Sequence, residues 1–345
     1  MQRKTITVGG VTVGGGAPIV IQSMTNTQTD DVAATLSQIR RLEAAGCEIV
    51  RLAVPDMNAA RAFGQIREQV SLPLVADIHF DYRLALEAVA AGADKIRINP
   101  GNIGDPDRVR QVAEACARKG LPIRIGVNGG SLERDIVATF GHTPEAMVES
   151  ALGHIALLNR FDFDNICLSV KSSSVPDTVA AYRLLHRRTG YPLHLGVTEA
   201  GTTYMGTVKS AIGIGSLLLD GIGDTIRVSL TDDPVEEIRA AKAILQSVGL
   251  RRFGPDIVSC PTCGRCQIDL IPLAEEVERR LEGMDRKITV AVMGCAVNGP
   301  GEASAADFGI AGGKGEGLLF RHGEIVGKVP MDELVDALMM LVTET

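Results

Sequence analysis

No uninterrupted apolar run in these 345 residues is long enough to span a bilayer; the most apolar stretch, near residue 217, is broken by Asp220 and flanking glycines. That excludes a helical membrane anchor. The opening Met1-Gln2-Arg3-Lys4-Thr5 lacks the apolar segment of a secreted precursor, and seven cysteines without such a segment point to a reducing compartment, so a cytoplasmic location is expected. Positive charge is also short. A formal net charge of -7 leaves no basic footprint for nucleic acid, so any positive charge that matters must be local. Finally, no Gly-x-Gly-x-x-Gly turn follows the first strand-like run, which counts against a doubly wound dinucleotide-binding sheet.

What is present is ample core material, 45% hydrophobic, enough for one large domain and a smaller one. After a hairpin pattern in Thr5–Val13, with Gly9-Gly10 as its turn, the chain repeats one unit: a short β-branched run, then an amphipathic helical pattern. The runs begin near Ile19, Ile49, Pro73, Lys95, Pro122, Asn165, Pro192 and Thr225. Asp105-Pro106, Thr143-Pro144 and Asp233-Pro234 are helix starts, each a capping side chain before a proline suited to the first turn. Eight such repeats in about 250 residues predict a (β/α)8 TIM barrel. The expected domains are 1–250, the substrate-binding barrel, and 251–345, a small α+β domain.

Barrel strands are buried on both faces and should read as plain apolar runs. Four do not: Arg51, Arg97, Arg124 and Arg227 each sit between aliphatic residues. Because side chains alternate along a strand, aliphatics packed against the helices would turn these arginines into the barrel. Desolvating an unpaired guanidinium costs several kcal/mol, so they need counter-charges. Asp77 and Glu199 are candidate internal partners, but two carboxylates cannot neutralise four guanidiniums, and Lys171 adds a fifth cation. A ligand with two phosphoryl groups would balance the charge, since guanidinium forks suit phosphate; an internal salt-bridge network is the alternative. Active sites of such barrels lie at the C-terminal ends of the strands, where the sequence places Asp77, His79, Asn99, Asn128, Lys171, Thr198, Glu199, Ser229 and Thr231. Glu199, facing so much positive charge, is a candidate for proton transfer.

Beyond Leu250 come Ser259-Cys260-Pro261-Thr262-Cys263-Gly264-Arg265-Cys266 and Gly294-Cys295-Ala296-Val297-Asn298-Gly299-Pro300-Gly301-Glu302. Two thiolates on a turn with a third returned by the fold suit an iron–sulfur cluster. Zinc remains open, although Cys295 has no second Cys-x-x-Cys or His pair beside it, and so do unligated thiols. Cys47, Cys116 and Cys167 stand singly in apolar segments and read as core thiols.

The whole chain resembles the two-domain bacterial 4-hydroxy-3-methylbut-2-enyl diphosphate synthases of the methylerythritol phosphate isoprenoid pathway. The two cysteine motifs are the most specific match, supported by Gln22-Ser23-Met24-Thr25, Ile96-Arg97-Ile98-Asn99-Pro100-Gly101-Asn102 and Gly196-Val197-Thr198-Glu199-Ala200-Gly201. The resemblance implies an oxidoreductase that opens and dehydroxylates 2-C-methyl-D-erythritol 2,4-cyclodiphosphate with two electrons from flavodoxin or ferredoxin. It implies a [4Fe–4S] cluster on Cys260, Cys263, Cys295 and Glu302. It also implies diphosphate contacts from Arg51, Arg97, Arg124, Asn128, Lys171, Arg227 and Ser229, with Asn298 reaching in from the cluster side and Glu199 as proton donor. A carboxylate is the more exchangeable ligand, so Glu302 could free one iron for the substrate. Cys266 departs from the family pattern and is expected to be a bystander. A non-enzymatic iron or oxygen sensor, or a zinc-stabilised barrel enzyme acting on another phosphorylated substrate, are the alternatives.

Chain path carries one more expectation. The eighth strand ends at the active-site face, and the helix after it, about sixteen residues or roughly 24 Å, runs back to the opposite face. The linker Leu250–Asp256 could extend at most about 25 Å and would have to bend around the barrel's flank. A head-to-tail homodimer, each cluster domain serving its partner's barrel, resolves this, and the resemblance implies the same.

Overall fold

The hairpin at the start of the chain makes the barrel's floor. The structure, a computed structural model, describes residues 3–295, 301 and 303–344. Strands β1 (Thr5–Val8) and β2 (Val11–Gly14) pair antiparallel across Gly9-Gly10, both at positive φ. Their inward Ile6, Val8 and Val13 pack on Val20, Ile49, Val75 and Cys167, each the first or second residue of a barrel strand, so an apolar layer closes that end.

Eight parallel strands follow: β3 (Val20–Met24), β4 (Ile49–Ala53), β5 (Leu74–Asp77), β6 (Lys95–Ile98), β7 (Ile123–Asn128), β8 (Ile166–Lys171), β9 (His194–Leu195) and β10 (Thr225–Ile226). They neighbour one another in the order β8-β7-β6-β5-β4-β3-β10-β9, and a parallel bridge between Leu168 and Leu193 joins the two ends. The strand starts fall within two residues of those read from the sequence. Around them run α1 (Val32–Ala45), α2 (Met57–Arg67), α3 (Tyr82–Ala90), α4 (Pro100–Ile103), α5 (Pro106–Lys119), α6 (Arg134–Phe140), α7 (Pro144–Asn159), α8 (Val175–Arg188), α9 (Thr203–Leu219) and α10 (Pro234–Ser247). Asp105, Thr143 and Asp233 cap α5, α7 and α10 by accepting a backbone N–H, with proline in the first turn of each.

The chain divides into two compact units, Met1–Arg251 and Arg252–Thr345. The second is built on one sheet in the order β11 (Asp256–Ser259), β12 (Thr289–Met293), β13 (Phe308–Gly312), β14 (Glu316–Arg321) and β15 (Glu324–Pro330). The first three run parallel and the last two close antiparallel. Helices α11 (Leu270–Leu281) and α12 (Leu334–Thr343) bury Leu270, Val277, Leu281, Leu334, Leu338 and Val342 against Val290, Val292, Phe308 and Ile310. Two strands were not legible in the sequence. Asp256–Ser259, at the passage from the expected linker to the cysteine turn, is a short edge strand, half-exposed and so without an apolar face to betray it; Phe308–Gly312 hides in a glycine-rich stretch. Among the described residues no helix is long and apolar enough to cross a membrane.

Candidate functional site

Alternation along the strands sets the barrel's interior. In register, Arg97 of β6 lies beside Arg124 of β7, and Asp77 of β5 beside Arg97. Above the apolar floor comes a polar layer containing Gln22, Lys95, His194 and Thr225, all buried, and above that a cationic mouth. The mouth opens into a cavity of about 260 Å3 lined by Met24, Arg51, Asp77, His79, Arg97, Arg124, Asn128, Ser169, Lys171, Thr198, Arg227 and Ser229. Two of the inward positions are glycine for want of space: a Cβ on Gly126 would lie 2.6 Å from Arg97 Nε, and one on Gly196 would lie 2.6 Å from Lys171 Nζ. The long cations occupy the volume those side chains would fill.

The mouth carries more positive charge than its carboxylates answer. Asp77 accepts from Arg97 Nη1 at 3.0 Å and lies 3.6 Å from both Arg51 Nε and His79 Nε2. Burial alone would raise the Asp77 carboxyl, but Arg51, the His79 hydrogen bond and Arg97 outweigh it and hold it below the usual carboxylate range. Arg227 pairs with Glu237, at 3.2 Å. Arg124, 1% exposed, has only a neutral partner, donating from Nη1 to Ser169 Oγ at 2.7 Å, while its Nε and Nη2, like Arg97 Nε, are buried without an acceptor. Burial lowers the Arg124 guanidinium to about 10 despite Asp77, with Arg97 adding to the effect. Burial first, and the surrounding arginines next, push Lys171 well below its ordinary value, and Arg51 falls likewise although Asp77 opposes it. Five cations thus share two carboxylates, and Arg97 Nε and Arg124 Nε and Nη2 lack acceptors beside the cavity their side chains line: an acceptor-rich dianion is the ligand this chemistry selects.

The structure therefore brings Arg51, Arg97, Arg124, Asn128, Lys171, Arg227 and Ser229 to one cavity. Glu199 is not among the lining residues; it is exposed, next to Thr198, in a left-handed backbone conformation at φ 53°. As an internal counter-charge it is replaced by Glu237. A glutamate in the first turn of α10 reaches the mouth by pairing back onto Arg227, across the 227–233 loop that joins β10 to α10. Only its place in an acidic first turn marks it in the sequence, and that reads as a response to the helix dipole.

In the second unit, parallel pairing puts Ser259 beside Val292, so Cys260 and Gly294-Cys295 leave the sheet at the same edge. Gly294 N–H donates to Cys260 Sγ at 3.1 Å, and Cys260 N–H to Val292 O at 3.3 Å. Cys263 is exposed, and the Arg265 backbone N–H, then its side chain, lower its thiol toward the thiolate. Cys266 turns inward, its Sγ donating to Ile268 O at 3.2 Å as it packs on the core. Cys260, Cys263, Cys266 and Cys295 are free cysteines, and soft sulfur donors in this unit fit an iron–sulfur cluster in kind. Among the described residues no three His, Cys, Asp or Glu side chains form a ready metal-binding group. Asn298 and Glu302 lie outside the described residues.

Comparison with known proteins gives two family models end to end: the GcpE TIM-barrel domain over residues 3–242 and the GcpE protein C-terminal domain over 256–344. The 4-hydroxy-3-methylbut-2-en-1-yl diphosphate synthase (flavodoxin) of Geobacter sulfurreducens is 61% identical over 98% of this chain and 97% of its own length. The enzyme of the same description from Ruminiclostridium cellulolyticum is 59% identical over 99% and 98%. Among solved structures, dihydropteroate synthase of Stenotrophomonas maltophilia superposes with a TM-score of 0.52 at 14% identity, covering 72% of this chain and 99% of that one. An N-acetylneuraminic acid synthetase of Leptospira borgpetersenii gives 0.51 at 13%, covering 81% and 98%. At such identities these two speak for the barrel fold alone.

Proposed function

The chain belongs to the GcpE family and has its 4-hydroxy-3-methylbut-2-en-1-yl diphosphate synthase activity, and we propose that the cationic barrel mouth is where the cyclodiphosphate is held. The observation that carries this is the surplus of buried cations, with Arg124 Nε and Nη2 and Arg97 Nε lacking acceptors. Two phosphoryl groups supply both the charge and the acceptors. Arg51, Arg97, Arg124, Lys171 and Arg227 would bind them, with Asn128 and Ser229 completing the shell at the strand ends. Holding both phosphates fixes the reacting ring, converting much of the barrier's entropic part into binding. Asp77, within 3.0 Å of Arg97 Nη1 and 3.6 Å of Arg51 Nε, tethers both guanidiniums at the mouth.

GcpE membership makes this an iron–sulfur enzyme, and the cluster we propose is [4Fe–4S], on Cys260, Cys263, Cys295 and Glu302. When bound, it would relay the two electrons of the reductive ring opening from the external reductant and would offer Lewis-acid chemistry at iron. Gly294 N–H, already on Cys260 Sγ, would stabilise the ligating thiolate. Glu199 is the proposed proton donor, and Asn298 the contact from the cluster side. Flavodoxin, named in the relatives' descriptions, is the proposed electron donor, with ferredoxin the other candidate. We place the protein in the cytoplasm as a head-to-tail homodimer, on the path length of the linker after α10. A sensor without turnover would leave the barrel's cations without work. The test is anaerobic incubation of purified protein with 2-C-methyl-D-erythritol 2,4-cyclodiphosphate and reduced flavodoxin or ferredoxin. Formation of 4-hydroxy-3-methylbut-2-enyl diphosphate is expected; no product from protein carrying its full cluster would contradict the proposal.

A further inference from the structure

Glu237 is buried, 4% exposed, in the first turn of α10. Its carboxylate accepts four hydrogen bonds. Ser23 Oγ of β3 donates at 2.9 Å and Leu230 N–H at 3.2 Å, while Arg227 donates from Nε at 3.3 Å and from Nη2 at 3.2 Å. The Nε/Nη2 edge of the Arg227 guanidinium is therefore taken, which leaves the Nη1 side, where the thioether Met24 Sδ accepts weakly at 3.8 Å, to meet a ligand. Ser229, which lines the same cavity, lies between the two residues that Glu237 grips. Every partner of this carboxylate is a donor, so an amide in its place would turn an NH2 group against at least one of them.

We infer that Glu237 is a positioning residue for diphosphate recognition: by fixing one edge of Arg227 and the Leu230 N–H, it sets Arg227 Nη1 and Ser229 at the mouth. It also anchors α10 to β3 through Ser23, so the geometry is held from two elements. The inference rests on the diphosphate reading of the mouth.

The test uses the full-length holoenzyme, purified anaerobically, with calorimetric titration of 2-C-methyl-D-erythritol 2,4-cyclodiphosphate and steady-state kinetics. Glu237→Gln is expected to raise Kd and KM about tenfold and leave kcat within about twofold, the pattern of lost binding rather than lost chemistry. The double variant Arg227→Met/Glu237→Gln should lose less affinity than the two single losses combined, because part of what Glu237 does runs through that arginine. An unchanged Kd in Glu237→Gln, or losses that add in the double variant, overturns the inference. Normal binding by Arg227→Met would instead sink the diphosphate reading beneath it. Should Glu237→Gln fail to fold, Glu237→Asp keeps the charge but withdraws it by one methylene; a loss of about threefold in affinity is expected, and wild-type affinity would overturn the inference.

Discussion

The barrel and the second unit carry their chemistry on different kinds of backbone. Arg51, Arg97, Arg124 and Lys171 project from regular strands, buried and crowded, with positions fixed by the sheet's register. Cys260, Cys263 and Cys295 follow strand ends on irregular backbone, half-buried or exposed. The rigid frame sustains mutual repulsion among cations, so its charge is stored against the arrival of an anion. The loop-borne thiols need no such restraint, because a metal would order them itself. One unit is preorganised for binding, and the other is completed by what it binds.

The sharpest way to break that division is to damage each unit separately. Arg124→Met should keep the cluster's visible absorbance, and Cys295→Ala should lose it; each variant alone is expected to lose nearly all turnover. Mixed under conditions of demonstrated subunit exchange, the two should regain activity, through the heterodimer site that pairs an intact barrel with an intact cluster. No recovery would mean that barrel and cluster of one chain serve each other.

A smaller effect reports on the stored charge itself. Burial, opposed only by the Cys167 side, and helped by Arg124 and Arg51, lowers Lys95 from 10.5 to about 8; Gln22 Oε1, at 3.2 Å, is its hydrogen-bond partner. Between about pH 8 and the ordinary lysine value the unfolded chain holds a proton that the folded chain has released, so stability of the substrate-free protein should rise with pH across that window. Below it the penalty is full and constant. The gain attributable to Lys95 is up to about 3 kcal/mol. Denaturant melts of wild type and Lys95→Met from pH 7 to 10 should converge as pH rises; parallel curves would refute the stored-charge account of that layer.

The smallest expected effect belongs to Cys266. Packed inward on Ile268 O and the core, it should tolerate alanine at a cost of about 1 kcal/mol, with cluster absorbance and turnover retained. Loss of the cluster in Cys266→Ala, with Glu302→Ala unaffected, would make Cys266 the fourth ligand.

The same contrast explains what could be read before the fold was seen. Arginine between aliphatics in a strand has only two directions to point, and packing against helices leaves one, so the mouth's cations were legible from alternation alone. The cysteines were legible from spacing. Glu237 was not, because a glutamate two residues after Val235 in the first turn of a helix has an ordinary explanation in the dipole; only the folded loop between β10 and α10 brings it to Arg227. Glu199 misled as a counter-charge for the converse reason: it follows a strand, but its left-handed backbone turns it to solvent. Strands β11 and β13 escaped notice since one is half-exposed and the other begins and ends among glycines.

That the barrel's unanswered charge is a diphosphate site is tested most directly by titrating 2-C-methyl-D-erythritol 2,4-cyclodiphosphate into Arg124→Met. Its guanidinium has no carboxylate of its own, so removal should not unfold the protein, while affinity should fall about 100-fold, roughly 3 kcal/mol. Wild-type affinity in a variant that has lost stability would instead mark Arg124 as part of a structural network and contradict the account.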